Sequence, residues 1–131
     1  MTHDTVLLDT DVLIEILRGR PKAGAWLRSI SNCTIRIPVF AYLEVLLGAR
    51  DKRELEKLKK ELSCFAMAET RTGDSRIATT WFERFRLSNG VGIIDCFLGA
   101  IALRENVPLY TFNVKHYRCL EGIMVRVPYK D

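Results

Sequence analysis

Apolar residues in this chain recur at two spacings, and the spacing divides it into elements. Val6, Leu7 and Leu8 form a short continuous run that stops at Asp9, Thr10 and Asp11. A run that short, ended that sharply, predicts a buried strand with an acid at its C-terminal end. Val12, Leu13, Ile16 and Leu17 then follow at helical spacing, and Gly19 with Pro21 ends that helix. Residues 23–30 predict a second short helix. Thr34, Ile35, Arg36 and Ile37 alternate and are mostly β-branched, a second strand. Pro38 suits the first turn of the next helix. Its core face is Phe40, Leu43, Leu46 and Leu47, and it runs to about Gly48. Residues 51–63 are densely charged, with Leu55, Leu58 and Leu62 as a thin helical stripe, which reads as a solvated amphipathic helix. A short strand follows near residues 64–67. Residues 70–87 predict a long helix whose Ile77, Ala78, Trp81, Phe82 and Phe85 are core at helical spacing rather than a platform for stacking bases. Ser88, Asn89 and Gly90 break it, and residues 91–94 approach Asp95 tightly. The helix after Asp95 is rich in small residues, Gly99, Ala100 and Ala102, which permits close packing. A strand at 108–111, a turn of helix at 113–117 and a strand at 124–127 complete the chain.

Helices between successive strands favour a parallel sheet with helices on both faces, an α/β fold. In such sheets, sites form outside the carboxyl ends of the strands where the strand order reverses. Asp9 and Thr111 both stand at predicted strand ends. No repeat or linker interrupts the pattern, so the 131 residues are expected to form a single domain, 1–131. Composition adds a frame: 48% hydrophobic and 27% charged residues describe a globular chain. No apolar stretch approaches the roughly 20 residues of a membrane-spanning helix. The N-terminus lacks the basic start and long apolar region of a signal peptide. Cys33, Cys64, Cys96 and Cys119 are widely spaced, two of them in apolar context, and are expected to be buried, reduced thiols. A cytoplasmic protein with no membrane partner is the expectation. The net charge of +4 allows an anionic partner without requiring one.

Three carboxylates carry the chemistry. Asp9 ends the first apolar run, Glu44 lies within residues 39–47, and Asp95 follows Gly92-Ile93-Ile94 and precedes another apolar stretch. Acids in such settings need a partner, because desolvating a lone carboxylate is costly. Three of them, distant in sequence, point to one shared cation. An all-oxygen donor set suits Mg²⁺ or Mn²⁺ and not zinc. Such a site supports phosphodiester hydrolysis by an activated water.

At this point the residues resemble a family. Leu7-Leu8-Asp9-Thr10-Asp11-Val12-Leu13-Ile14 is similar to the opening motif of PIN-domain ribonucleases. Leu43-Glu44-Val45-Leu46-Leu47-Gly48 resembles their second acid, and residues 94–102, with Asp95, their third. Residues 110–117 resemble their closing T-x-N/D-x-x-D/H-F segment. In order, spacing and size the motifs resemble those of the VapC-type toxins of toxin–antitoxin pairs. The resemblance implies an α/β/α sandwich with a mainly parallel central sheet, Mg²⁺- or Mn²⁺-dependent RNA cleavage, a homodimer, and inhibition by a small antitoxin. It implies Asp9, Glu44 and Asp95 as metal ligands, with Thr111 and Asn113 completing the site. Many relatives carry a fourth acid in the closing segment. Here Asn113 and His116 stand at the candidate positions, so one cation is expected rather than two. The helix pair spanning residues 38–63 is expected to line a groove for an antitoxin segment, one of whose basic side chains reaches the acids.

Each residue also has a plainer reading. Asp11 caps the helix after Asp9, Asp95 is itself an N-cap, Glu44 points to solvent, Asn113 caps the short helix after Thr111, and His116 bonds locally. Two other functions stay open. The run Asp9-Thr10-Asp11-Val12 is also similar to the nucleophile motif of haloacid-dehalogenase-like phosphatases, although no paired-acid motif follows near the end of the chain. A PIN fold kept as a non-catalytic RNA-binding or scaffold module is the other.

Overall fold

In chain order the elements are β1 (Thr5–Leu8), α1 (Thr10–Leu17), α2 (Pro21–Ser29), β2 (Thr34–Pro38), α3 (Val39–Leu47), α4 (Lys52–Leu62), β3 (Ala66–Ala68), α5 (Asp74–Asn89), α6 (Ile93–Glu105), β4 (Leu109–Tyr110), α7 (Val114–Tyr117) and β5 (Val125–Arg126). The structure is a computed structural model that describes residues 4–130. The five strands form one sheet in the order β3-β2-β1-β4-β5, and every pairing is parallel. The chain leaves β1 outward through β2 and β3, then returns to the other side of β1 for β4 and β5. Right-handed crossovers therefore send α1–α4 to one face and α5–α7 to the other, a three-layer α/β/α sandwich. The strand order reverses between β1 and β4, and the carboxyl ends of these two strands open the crevice where a site is expected.

The apolar runs fill the core as their spacing predicts. Leu7 and Leu8 on β1, Leu109 on β4, Val12 and Leu13 on α1, and Leu98 and Ile101 on α6 are fully buried. Trp26 of α2 packs on Tyr110 of β4 with ring centroids 5.0 Å apart. Trp81, Phe82 and Phe85 pack against the core from α5, as their spacing predicts. Gly99 lets α6 approach α5, since a Cβ there would lie 3.1 Å from the Trp81 ring and 2.9 Å from Leu120. Among the described residues no helix is long and apolar enough to cross a membrane.

Several boundaries differ from the sequence reading, each for a local reason. Pro21 starts α2 rather than merely ending α1, because a proline at the first helical position loses no hydrogen bond. Pro38 ends β2, paired with Ala68, and α3 begins one residue later. The long fifth helix starts at Asp74, because Gly73 at φ +104° turns the chain just before it. Only Cys96 of the four thiols is buried, while Cys64 is exposed in the turn before β3. The largest difference is the phase of α3. Ala41 and Val45 face the core, whereas Leu43 and Leu47, assigned inward from the sequence, are 51% and 83% exposed. That helix is apolar nearly all round, so periodicity alone does not select its buried face.

Candidate active site

Asp9 leaves β1 in extended conformation and is the N-cap of α1. Its Oδ1 accepts the Thr10 backbone N–H at 2.7 Å. Its Oδ2 accepts two hydroxyl bonds, from Thr111 at 2.8 Å and from Tyr117 at 2.9 Å. The backbone N–H of Asp9 bonds the Tyr110 carbonyl at 2.9 Å, which fixes the end of β1 against the end of β4. Asp9 is buried, and burial, aided by the Asp11 charge, pushes its carboxyl up to about 6 despite these bonds. The Tyr117 phenol is pushed well above its ordinary range by burial and by the nearby Asp9, Asp95 and Asp11 carboxylates, so it stays a proton donor.

Asp11 does not cap α1, since Asp9 holds that position. Instead its Oδ2 gathers the chain leaving β4. It accepts the Phe112 N–H at 3.0 Å and the Asn113 Nδ2 at 3.3 Å, and lies 3.3 Å from the Thr111 hydroxyl. Its Oδ1 is buried with no hydrogen-bond partner. Burial also raises this carboxyl, against the lowering effect of the Phe112 bond. Thr111 links the two acids and accepts the Asn113 N–H at 3.0 Å. Asn113 occupies the N-cap position of α7, but its side chain makes no capping bond there and turns to Asp11.

Glu44 reaches this cluster from α3. Its Oε1 accepts the Thr10 hydroxyl at 2.5 Å, yet the residue as a whole is exposed, not desolvated. Asp95 is the third residue of α6 rather than its N-cap, and its Oδ2 accepts the Gly92 N–H at 3.0 Å. A Cβ at Gly92 would lie 3.1 Å from that oxygen, so a side chain there would press on the Asp95 carboxylate. His116 places Nδ1 3.5 Å from Asp95 Oδ2. Asp95 and Glu44 together line a cavity of about 370 Å³ with Phe82, Arg86 and Ile94. Arg86 holds the rim of that cavity by donating to the Gly90 and Val91 carbonyls.

The residues selected from the sequence thus fall into two joined groups. Asp9, Thr111 and Asn113 share one hydrogen-bond network with Asp11 and Tyr117. Glu44 ties to it through Thr10, and Asp95 meets Glu44 across the cavity. Among the described residues no three acids, histidines or cysteines close into a ligand set. Asp11 and Tyr117 were not selected as site residues. Asp11 carried a signal, standing two residues from Asp9 in the same polar triplet, whereas Tyr117 lies far along the chain in a segment with no apolar periodicity. On the other side of Glu44 runs a groove of about 430 Å³ between α1, α3 and α4. It is lined by Ile14, Leu17, Val45 and Leu58, by the carboxylates Glu44, Glu54 and Glu61, and by the cations Arg18 and Lys57.

Residues 6–119 match the PIN domain family. The chain is 32% identical over 122 residues to "Ribonuclease VapC10" of Mycobacterium tuberculosis, covering 90% of each protein. It is 29% identical over 114 residues to "Ribonuclease VapC19" of the same organism, covering 85% of this chain and 90% of that one. In fold it is similar to a toxin–antitoxin complex from Klebsiella pneumoniae, with a TM-score of 0.76 at 23% identity over 96% of this chain and 99% of the other. It is also similar to VapBC2 from Rickettsia felis bound to a promoter DNA fragment, with a TM-score of 0.78 at 19% identity over 94% and 98%.

Proposed function

The chain belongs to the PIN-domain family, and from that premise we propose that it is an endoribonuclease, the toxin of a toxin–antitoxin pair. In this reading it cleaves RNA with one Mg²⁺ or Mn²⁺ ion held by Asp9, Glu44 and Asp95. The observation that supports it best is the Asp9–Asp11 pair at the strand-order reversal. Two like charges are desolvated together there, and Asp11 Oδ1 has no hydrogen-bond partner. A hard divalent cation held by Asp9 offsets the shared negative charge of the pair, and the all-oxygen donors around it match that class of ion. The phosphatase reading of Asp9-Thr10-Asp11-Val12 gives way to the PIN match.

When bound, such an ion supplies Lewis-acid polarisation of the scissile phosphate and lowers the pKa of the attacking water. The residues of the chain prepare the place for it. Thr111 and Thr10 fix the carboxylate planes of Asp9 and Glu44. Gly92 holds Asp95 through its backbone N–H, and Asp11 and Asn113 brace the loop that carries Thr111. Arg86, at the cavity rim, is placed to meet the backbone phosphates of an RNA strand. The test is cleavage of structured RNAs by the purified chain. Activity is expected with Mg²⁺ or Mn²⁺, lost in excess chelator and restored by readdition. Equal cleavage in chelator would overturn the metal-dependent reading.

The antitoxin is proposed to lie in the groove between α1, α3 and α4. Its apolar wall accepts a hydrophobic anchor. Glu54 and Glu61 are already paired with Arg50 and Lys57, so Glu44 at the site end of the groove is the carboxylate that favours a basic segment, whose arginine pairs with the site acids and competes with the cation. Leu58→Asp places a repulsive charge on that wall. It is expected to weaken antitoxin binding by more than about tenfold, as loss of a buried anchor does, while the isolated toxin cleaves RNA normally. Titration calorimetry with the antitoxin measures this, and unchanged affinity would place the antitoxin elsewhere. The homodimer is proposed to use Leu43 and Leu47 of α3 with Ile93 of α6, apolar side chains left uncovered, of which Ile93 lines the Glu44 cavity.

A further inference from the structure

Tyr117 is 1% exposed and is carried by a helix of four residues. Its ring packs in the core, a task phenylalanine performs equally well, and the closing segment of the family pattern ends in phenylalanine. The hydroxyl is therefore the informative atom. A buried phenol needs a hydrogen-bond partner. This one donates to Asp9 Oδ2 at 2.9 Å, the oxygen that also accepts Thr111.

An ionised carboxylate offers about four acceptor positions. On Asp9 three are used: Oδ2 takes Thr111 and Tyr117, and Oδ1 takes the Thr10 N–H. The donors come from α1, from the end of β4 and from α7, so rotating the carboxylate breaks bonds to three separate elements. One acceptor position is left, on Oδ1. We infer that Tyr117 is a positioning residue of this site: its hydroxyl closes Oδ2 and leaves Oδ1 as the Asp9 oxygen that would be open to a cation. This rests on the metal-site reading above. With no fourth acid in the closing segment, the chain supplies a neutral donor that orients the first acid instead of an additional charge. Partners of this kind, which hold a ligand without touching the metal, typically change metal affinity by about 10–100-fold when removed.

The test is Mn²⁺ binding to the RNA-free protein, followed by electron paramagnetic resonance. The wild-type protein is expected to take up one Mn²⁺, and Asp9→Asn to lose it. Tyr117→Phe is expected to fold and to bind Mn²⁺ about tenfold more weakly, with RNA cleavage recovering at saturating Mn²⁺. Thr111→Val should weaken binding too, and the double variant by less than the product of the two, because both hydroxyls serve one oxygen. Tyr117→Met stands in if the phenylalanine variant does not fold. A Tyr117→Phe affinity within twofold of wild type, with wild-type binding intact, overturns the inference alone. A wild-type protein that takes up no Mn²⁺ overturns the metal-site reading beneath it.

Discussion

Replacing Asp9 by asparagine is expected to cut RNA cleavage by at least about a hundredfold while making the metal-free protein more stable. The two effects share one cause. Asp9 is desolvated beside Asp11, and its carboxyl stands at about 6 instead of the ordinary 3.8. A carboxyl raised in the folded state binds its proton more tightly there than in the unfolded chain. Its favourable contribution is therefore complete below about pH 4 and lost as pH rises through about 6. Roughly two pH units correspond to about 3 kcal/mol at neutral pH. Asparagine removes that cost but fits three donors less well than a carboxylate, so a net gain of about 1–3 kcal/mol is expected. In metal-free buffer the variant should be no more stable than wild type near pH 4 and should melt several degrees above it at pH 7. Added Mn²⁺ should raise the melting temperature of the wild type and leave that of the variant unchanged. The activity loss follows because an ion stabilising transition-state charge contributes several kcal/mol, and each 1.4 kcal/mol is tenfold in rate. Asp95→Asn should lose activity similarly with little change in stability, since Asp95 is partly solvated and its bond to the Gly92 N–H survives in an amide. Undiminished cleavage by both variants with Mg²⁺ present would show that these acids are structural.

What the sequence revealed and what it hid follow from the range of the forces involved. Short buried strands announce themselves locally, and β1, β2 and β4 fall close to where the apolar runs place them. Asp9 and Thr111 are legible as the carboxyl ends of two strands of a parallel sheet, but that those strands are neighbours is set by the strand order, which the local pattern does not encode. The phase of α3 could not be read, because Leu43, Ala41, Val45 and Leu47 offer apolar side chains in nearly every direction. Tyr117 was hidden because its hydroxyl matters only through a bond to a residue 108 positions away. The premise that an acid in an apolar run must be desolvated holds for Asp9 and fails for Glu44. Glu44 sits among apolar residues on an exposed face, so its neighbours in sequence are not its neighbours in space. The converse also occurs. Asp74 lies in the polar stretch Thr70-Arg71-Thr72-Gly73-Asp74-Ser75-Arg76, where nothing suggests burial, yet at 1% exposed it is more buried than Asp9 at 6%.

Asp74 survives burial because Arg104 reaches it from the far end of α6, and breaking that pair is expected to be the most destabilising single change away from the core. Arg104 donates Nε to Oδ1 at 2.9 Å and Nη2 to Oδ2 at 3.0 Å, a two-pronged bond that joins the last turn of α6 to the first turn of α5. Asp74 also accepts the Arg71 N–H at 2.8 Å, and Arg104 also donates to the Glu69 carbonyl. Glu105, next along α6, accepts a short bond from Arg36 of β2, so the cluster clamps two helices to the sheet. Burial alone would raise the Asp74 carboxyl, but the bonds from Arg104 and Arg71 outweigh it and hold the carboxyl below its ordinary value. Removing one partner leaves a desolvated charge behind, which costs about 3–5 kcal/mol for a fully buried pair. Arg104 is 23% exposed, so water compensates in part, and about 3 kcal/mol is expected for Arg104→Ala. A depressed carboxyl contributes stability that is present above its unfolded value and lost as pH falls through its folded one. The deficit of Arg104→Ala should therefore be full at pH 7 and shrink below about pH 4, the reverse of the pH dependence expected at Asp9. Asp74→Asn, which keeps acceptor and shape but gives up the charge pair, should cost less than Arg104→Ala. The charge it leaves behind is the partly solvated Arg104 guanidinium, which keeps the Glu69 carbonyl and Glu105, and not the buried Asp74 carboxylate. Urea denaturation of the three proteins at pH 7 and pH 3.5 measures both differences. An Arg104→Ala midpoint equal to wild type at pH 7 would show that solvent, not the guanidinium, carries the Asp74 charge.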